Sequence, residues 1–175
     1  MRWLPLVLVL AAGPASAAIV DAQPNGFKVE RTAAIAASPD KVYAALIQPG
    51  QWWTSEHTYS GDAHNLTLDP KAGGCWCEAL PDGGSAQHMR VVYVDPGKAL
   101  RVTGGLGPLQ ALGVAGALTW TIKPASGGGV ELTQTYVVGG YAPGGLAALA
   151  APVDGVLGLQ LARLKAYVET GRPAP

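Results

Sequence analysis

The stretch LAALAAPVDGVLGLQLARLKAYVETG, residues 146–171, decides the fold. Leu146, Leu149, Ala150, Val153, Leu157, Leu161, Leu164 and Val168 recur at three- and four-residue intervals, while Asp154, Arg163 and Glu169 fall mainly off that line. This is the single apolar stripe of a long helix that packs on something larger. Pro152 must start the regular helix or kink it. Gly171 ends it, and residues 171–175 are expected to be a frayed tail.

Upstream of residue 146 the period changes to two. Phe27 to Ala37 alternates and is rich in β-branched residues, as a first strand does. Ser38-Pro39-Asp40 has an N-cap followed by proline at the first helical position, so a short helix is expected over Pro39 to Ile47. Pro49-Gly50 breaks it, and Gln51-Trp52-Trp53 is expected to form a second short helix or turn. Then come strands divided by turn residues: Asn65–Asp69, Cys75–Leu80, Ser85–Val94, Lys98–Thr103, Ala117–Lys123 and Val130–Val138. Such regular punctuation reads as an antiparallel meander.

Composition limits what this chain can be. It has 175 residues, 49% of them hydrophobic and 14% charged, with 12 basic and 12 acidic side chains. One domain is expected, and disorder is excluded. A balanced charge without a basic run argues against a nucleic-acid partner. The 24 glycines and 14 prolines suit short strands and turns better than a helix bundle. Met1-Arg2, the apolar run Trp3 to Gly13 and the Ala15-Ser16-Ala17 site form a secretory signal peptide, so residues 1–17 should be removed and the mature chain found in the periplasm or medium. The mature chain would open with a flexible segment, residues 18–26. Gly104 to Ile122 is apolar but holds Pro108 and five glycines, so it reads as a loop feeding a strand and not as a membrane span.

The order of elements is strand, two short helices, a run of antiparallel strands, then one long helix. The economical packing is an α+β helix-grip: a curved antiparallel sheet wrapped around the C-terminal helix. Such a sheet and helix leave a pocket between them. The chain resembles the START-like helix-grip superfamily, also called SRPBCC, over residues 27–170, and within it the heat-shock-chaperone ATPase activator-like branch. The resemblance is carried by Ala37-Ser38-Pro39-Asp40-Lys41-Val42-Tyr43-Ala44-Ala45-Leu46, the pair Trp52-Trp53, Gly73-Gly74 before Trp76, and Val94-Asp95-Pro96-Gly97-Lys98-Ala99-Leu100. It implies a hydrophobic ligand cavity. It implies no particular reaction, because this fold hosts binding proteins, cyclases and chaperone activators.

Candidate site residues follow from which face each occupies. Trp52 and Trp53 are adjacent, so one should face the pocket and the other the core under the first helix. Trp76 and Glu78 share one face of their strand, and the resemblance turns the aromatic at Trp76 toward the cavity. Glu78 would then be buried as well, either as a ligand contact or general acid/base or in an edge ion pair with Arg90. On the next strand Met89, Val91 and Tyr93 form the more apolar face, so His88 and Arg90 are expected to point outward unless a bulge reverses them. Facing inward, Arg90 would anchor a ligand carboxylate. Trp120 and Tyr136 have polar tips that suit a pocket edge, and Tyr59 suits its mouth. His57, Tyr59, Asp62 and His64 lack tight metal-ligand spacing and read as a solvated loop, so no metal is expected. Cys75 and Cys77 face the same side of their strand. Two packed thiols are the favoured state, because a bridge across one residue requires the strand to buckle.

No nucleophile elbow, phosphate loop or dinucleotide fingerprint is present, and no cofactor is expected. The reading is therefore an exported protein binding a small hydrophobic molecule, lipid or polyketide-like, in an internal cavity. The alternatives are a cyclase or hydratase-type enzyme using Glu78 or Arg90, and an interaction protein whose pocket is filled by its own side chains. The apolar, glycine-rich segment 104–113, with Leu109 at its centre and outside the core, is expected to gate the mouth, flanked by residues 139–145.

Overall fold

The computed structural model describes residues 18–175; the expected signal peptide, residues 1–17, lies outside them. Eight antiparallel strands form one curved sheet. They are β1 (Ala18–Gln23), β2 (Gly26–Ile35), β3 (Leu66–Leu68), β4 (Cys75–Ala79), β5 (Ser85–Asp95), β6 (Ala99–Gly104), β7 (Gly113–Pro124) and β8 (Val130–Tyr141). Their spatial order is β1-β2-β8-β7-β6-β5-β4-β3, so the meander from β3 to β8 closes onto β2. Helix α1 (Pro39–Leu46) and 3-10 turns at Pro49–Gln51, Ser55–His57 and Ala63–Asn65 fill the interval between β2 and β3. The long helix α2 (Ala150–Thr170) packs across β1, β2 and α1. The helix-grip expectation is thus met.

Local signals explain each piece. The Ser38 side chain accepts the Lys41 N–H at 3.3 Å, and Val42, Ala45 and Leu46 are the buried face of α1. Strands β7 and β8 bury alternate residues: Leu118, Trp120 and Ile122 on one, Leu132, Gln134, Tyr136 and Val138 on the other. The α2 stripe is buried at Leu157, Leu161, Leu164 and Val168, and Pro152 sits in the first turn, where its missing N–H costs nothing. Gly171 caps the helix at φ 78°, its N–H bonded to Tyr167 O at 2.8 Å. The helix is long and apolar enough to cross a bilayer by composition. Its Leu157, Leu161, Leu164 and Val168 are buried, while Val153 and Val156 line the cavity described below.

Polar side chains of α2 fix its position. Asp154 accepts from both Nε and Nη2 of Arg31 on β2, each at 2.7 Å. The guanidinium runs over Gly158, where a Cβ would collide with it. Fully buried Gln160 accepts the Thr54 N–H at 3.0 Å, and Arg163 Nε donates to Trp52 O at 2.9 Å. Both tie the tryptophan loop to the helix.

Several expectations need correction. Residues 18–26 are not a flexible lead: residues 18–23 pair with β2 as an edge strand. The tail does not simply fray, since Arg163 Nη1 donates to Ala174 O. Cys75 and Cys77 are joined in a disulfide, with Cα atoms 5.3 Å apart. A regular strand would hold them about 6.6 Å apart. The ladder is irregular here: Trp76 pairs with Met89 but Cys77 with Gln87, so His88 is an extra, unpaired residue on β5. That bulge also overturns the expected facing of His88. His88 and Met89 are both buried, while Arg90 remains outside. A second shift between Val91 and Tyr93 carries Tyr93 to the exterior, where the Arg101 guanidinium lies 5.6 Å from its ring centre.

Candidate functional site

Between the sheet, the loop after α1 and the start of α2 lies a cavity of about 470 Å³. Its side chains do not fill it, which contradicts the filled-pocket alternative. The walls are mostly apolar: Trp53, Leu66, Trp76, Leu106, Leu109 and Val153 are representative.

Four buried indoles run in a chain beside it. Ring centres are 5.5 Å apart for Trp52–Trp53, 5.2 Å for Trp53–Trp76 and 5.9 Å for Trp76–Trp120. The middle two line the cavity, and the outer two lie in the core. Trp52 and Trp53 therefore divide between core and pocket. Trp120, expected at the pocket edge, is behind the wall. Three of the four indole N–H groups have partners. Trp52 donates to Ala45 O at 3.0 Å and Trp53 to His57 O at 2.9 Å. Trp120 donates to the Gln134 amide oxygen at 3.0 Å, with the Gln134 amide oriented so that its nitrogen donates to Leu157 O. Trp76, 1% exposed, has none among the described residues.

Glu78 is buried, 1% exposed, and pairs with a residue the sequence reading had turned outward. His88 Nε2 lies 2.7 Å from its Oε2. The Tyr59 and Ser60 backbone N–H groups donate to the same carboxylate. Burial, the largest single influence, pushes this carboxyl up. The Ser60 side chain and N–H, the Tyr59 N–H and His88 together outweigh it and hold it below the ordinary carboxylate range. His88 lines the cavity and Glu78 does not, so the carboxylate sits behind the imidazole. Arg90 takes no part: its Nε donates to Gly73 O on the outer face at 3.3 Å.

Tyr59 closes one side. Its ring stacks on His88 at 5.2 Å and 28°, and its hydroxyl donates to Gly107 O at 2.7 Å. Tyr136 lines the cavity. Its hydroxyl donates to Gly104 O and accepts the Leu106 N–H, both at 3.2 Å, and burial pushes its pKa up to about 12. It is a structural hydroxyl spanning the start of the 104–113 segment. Gly116 is small because a Cβ there would meet the Tyr136 ring.

Leu109 is not the exposed residue the sequence suggested. The segment folds into a 3-10 turn, Gly107–Ala111, and buries Leu109 to 5% exposure in the cavity wall. Residues 139–145 do not line the cavity: β8 runs on to Tyr141, and Gly145 turns against Pro24. Of the polar loop, His57 and Tyr59 line the cavity, whereas His64 and Asp62 pair with each other at 2.9 Å on the surface. The sequence reading missed the Glu78–His88 pair and the helix contributions of Pro152, Val153 and Val156 to the wall. The helical period through Leu149, Val153 and Val156 carried the signal for the last.

The same curved sheet and helix occur in solved structures of low sequence identity. A conserved protein of unknown function, EF2215 from Enterococcus faecalis, is similar with a TM-score of 0.64 at 20% identity, covering 91% of this chain and 80% of that one. SA2116 of unknown function from Staphylococcus aureus gives 0.61 at 14% identity, over 83% and 95%. CalU16 from Micromonospora echinospora gives 0.59 at 14% identity, over 93% and 88%. At these identities the likeness is one of fold. A search of curated protein sequences finds no match. The profile described as polyketide cyclase / dehydrase and lipid transport matches residues 26–169, from the first residue of β2 almost to the end of α2, and the chain belongs to that family.

Proposed function

We infer that the protein is exported and carries a small hydrophobic molecule, lipid or polyketide-like, in its internal cavity. The observation that carries this is the unfilled space of about 470 Å³ behind apolar walls, within the 300–1,000 Å³ typical of small-molecule sites. The family description fits such a ligand. The expected cleavage after Ala17 would leave residues 18–175, which hold all the strands described. The motifs around Trp52-Trp53 favour the activator-like branch, yet an exported chain would not meet a cytosolic chaperone. The test is native mass spectrometry of the mature protein purified from its own periplasm without detergent. A copurifying apolar molecule, absent from a Val153→Trp variant that occupies the cavity, supports the reading. An empty protein that binds no apolar probe refutes it.

A second reading, a cyclase or hydratase-type enzyme, is favoured by the carboxylate-backed imidazole at the cavity wall. That arrangement suits a general base. Arg90, on the outer face, has no part in it. Adding the copurified molecule back to emptied wild-type and Glu78→Gln protein separates the readings. Chemical change with the first alone supports catalysis; unchanged recovery from both supports carriage.

A further inference from the structure

The Cys75–Cys77 bridge lies back to back with the cavity wall. Cys75, Trp76 and Cys77 are consecutive on β4, so the two half-buried cysteines share the outer face while Trp76 points inward and lines the cavity. The Trp76 ring packs at 5.2 Å on Trp53, also a wall residue, and at 5.9 Å on Trp120 of the core. The bridge draws the Cα atoms on either side of Trp76 to 5.3 Å, against about 6.6 Å in a regular strand. The ladder to β5 shifts register at the same place. Whatever opens the bridge therefore frees the backbone that carries a wall residue.

Three features make the bridge easy to open. One residue separates its cysteines, so it closes a very short loop and takes little support from loop closure. The fold can outlast its loss for the same reason. Both cysteines are partly exposed on the outer face, where a small thiol can reach them. Arg90 stands opposite Cys75 in the ladder, exposed on that face, its Nε donating to Gly73 O at 3.3 Å. Residues directly opposite in an antiparallel pair have Cβ atoms about 4.5–5.5 Å apart, and a cationic neighbour favours sulfur that leaves as a thiolate.

We propose that Cys75–Cys77 is a thiol–disulfide exchange site for small dithiols, and that opening it loosens the cavity wall at Trp76 and weakens binding of the apolar ligand. The second half rests on the reading that the cavity holds such a ligand. One thiolate of the donor attacks a bridge sulfur and forms a mixed disulfide, and the other cysteine leaves as a thiolate and takes a proton. The donor's second thiol then displaces the first cysteine. Two electrons and two protons pass to the chain, which ends with two thiols, and the donor ends as a disulfide.

The test has two readouts on the oxidised mature chain. Dithiothreitol is added in graded ratios to its oxidised form, the thiols are trapped with iodoacetamide and weighed by mass spectrometry, and far-UV circular dichroism is recorded on the same samples. The expected result is two labels per chain with the dichroism retained, and a several-fold slower exchange in Arg90→Gln. A bridge that opens only where the dichroism is lost overturns the exchange site; an unchanged rate in Arg90→Gln overturns the part given to the arginine. The neutral fluorescent probe N-phenyl-1-naphthylamine is then titrated into oxidised and reduced protein. It should bind the reduced form about threefold to tenfold more weakly, and the double variant Cys75→Ser, Cys77→Ser should match the reduced form and ignore dithiothreitol. Equal affinity in the two states overturns the coupling to the cavity and leaves the apolar-ligand reading standing. A probe that binds neither state overturns that reading and the coupling with it, while the labelling result still decides the exchange site.

Discussion

Replacing Glu78 should be among the most damaging single changes to this domain, and its signature should be a loss of pH dependence. The carboxylate is the acceptor for three donors: the Tyr59 N–H at 3.1 Å, the Ser60 N–H and His88 Nε2 at 2.7 Å. Glu78→Ala strands all three, at about 1–3 kcal/mol each. The Tyr59–Ser60 loop can swing its N–H groups toward water, so the lower end applies and the expected cost is about 3–4 kcal/mol. That is a large share of the roughly 5–15 kcal/mol typical of a folded domain. Glu78→Gln keeps one acceptor oxygen and should cost about half as much. The native carboxyl is held below its ordinary value even though burial, the largest influence, pushes the other way. Its contribution to stability is therefore complete above the ordinary carboxylate range and is lost as pH falls through the depressed native value. Urea unfolding of wild type, Glu78→Ala and Glu78→Gln at neutral pH and down the acid limb measures both effects. The depressed carboxyls of Glu30, Asp62 and Glu169 are common to all three proteins, so the difference isolates Glu78. A neutral-pH cost under about 1 kcal/mol for Glu78→Ala, or parallel acid limbs for wild type and Glu78→Gln, would refute the reasoning.

Asp154→Ala leaves the Arg31 guanidinium mostly buried without its partner and should cost about 3–4 kcal/mol in equilibrium unfolding. The double change Arg31→Met with Asp154→Leu should cost less than that single one; equal or larger loss would show the pair is not the anchor. Gly158→Ala gains about 1 kcal/mol of helix propensity but drives a methyl into Arg31, so Tm should fall; a rise would mean the arginine swings aside freely. Cys75→Ser with Cys77→Ser should cost about 1–2 kcal/mol for so short a loop, and reduction of the wild type should reproduce that loss, whereas unchanged denaturation curves would remove the bridge from the account. Leu109→Asp should lower stability by about 3 kcal/mol or more by burying a carboxylate in the wall; a fully stable variant that has lost only ligand retention would restore the idea of a detachable gate.

The parts of the fold that were legible are those with an uninterrupted period. Leu157, Leu161, Leu164 and Val168 keep the helical spacing through α2, and Leu118, Trp120 and Ile122 keep the strand spacing through β7. In both, a continuous buried face imposes the pattern on the residues. The edge strand β1 has no such face. Ile19 and Val20 are exposed, and the segment is held by its ladder to β2, which any backbone can form. Leu109 was misread for a related reason. Three leucines in a glycine-rich segment suit a mobile cover or a wedged turn equally well, and only the closure onto Tyr136 and Gly104 decides which.

The polar half of the site was hidden by a single residue. Strict alternation from buried Met89 puts His88 and Arg90 on the outer face together, and with them gone Glu78 is left to find its partner elsewhere. The bulge breaks that rule at one point. His88 turns inward beside Met89, Arg90 stays outside, and the imidazole meets the carboxylate from the neighbouring strand. The same irregularity lies between Trp76 and Cys77, where the Cys75–Cys77 bridge holds both shoulders of Trp76 on the opposite face. A bulge that increases local twist re-aims the side chains at its centre. Here those side chains are Trp76 and His88, each with a buried nitrogen that has no partner among the described residues. The disulfide, the bulge and the Glu78–His88 pair thus act on one small patch of β4 and β5. Each restrains the orientation of a group that an apolar wall alone would leave free to turn. Sequence periodicity cannot locate such a patch, because its defining feature is the residue at which the period fails.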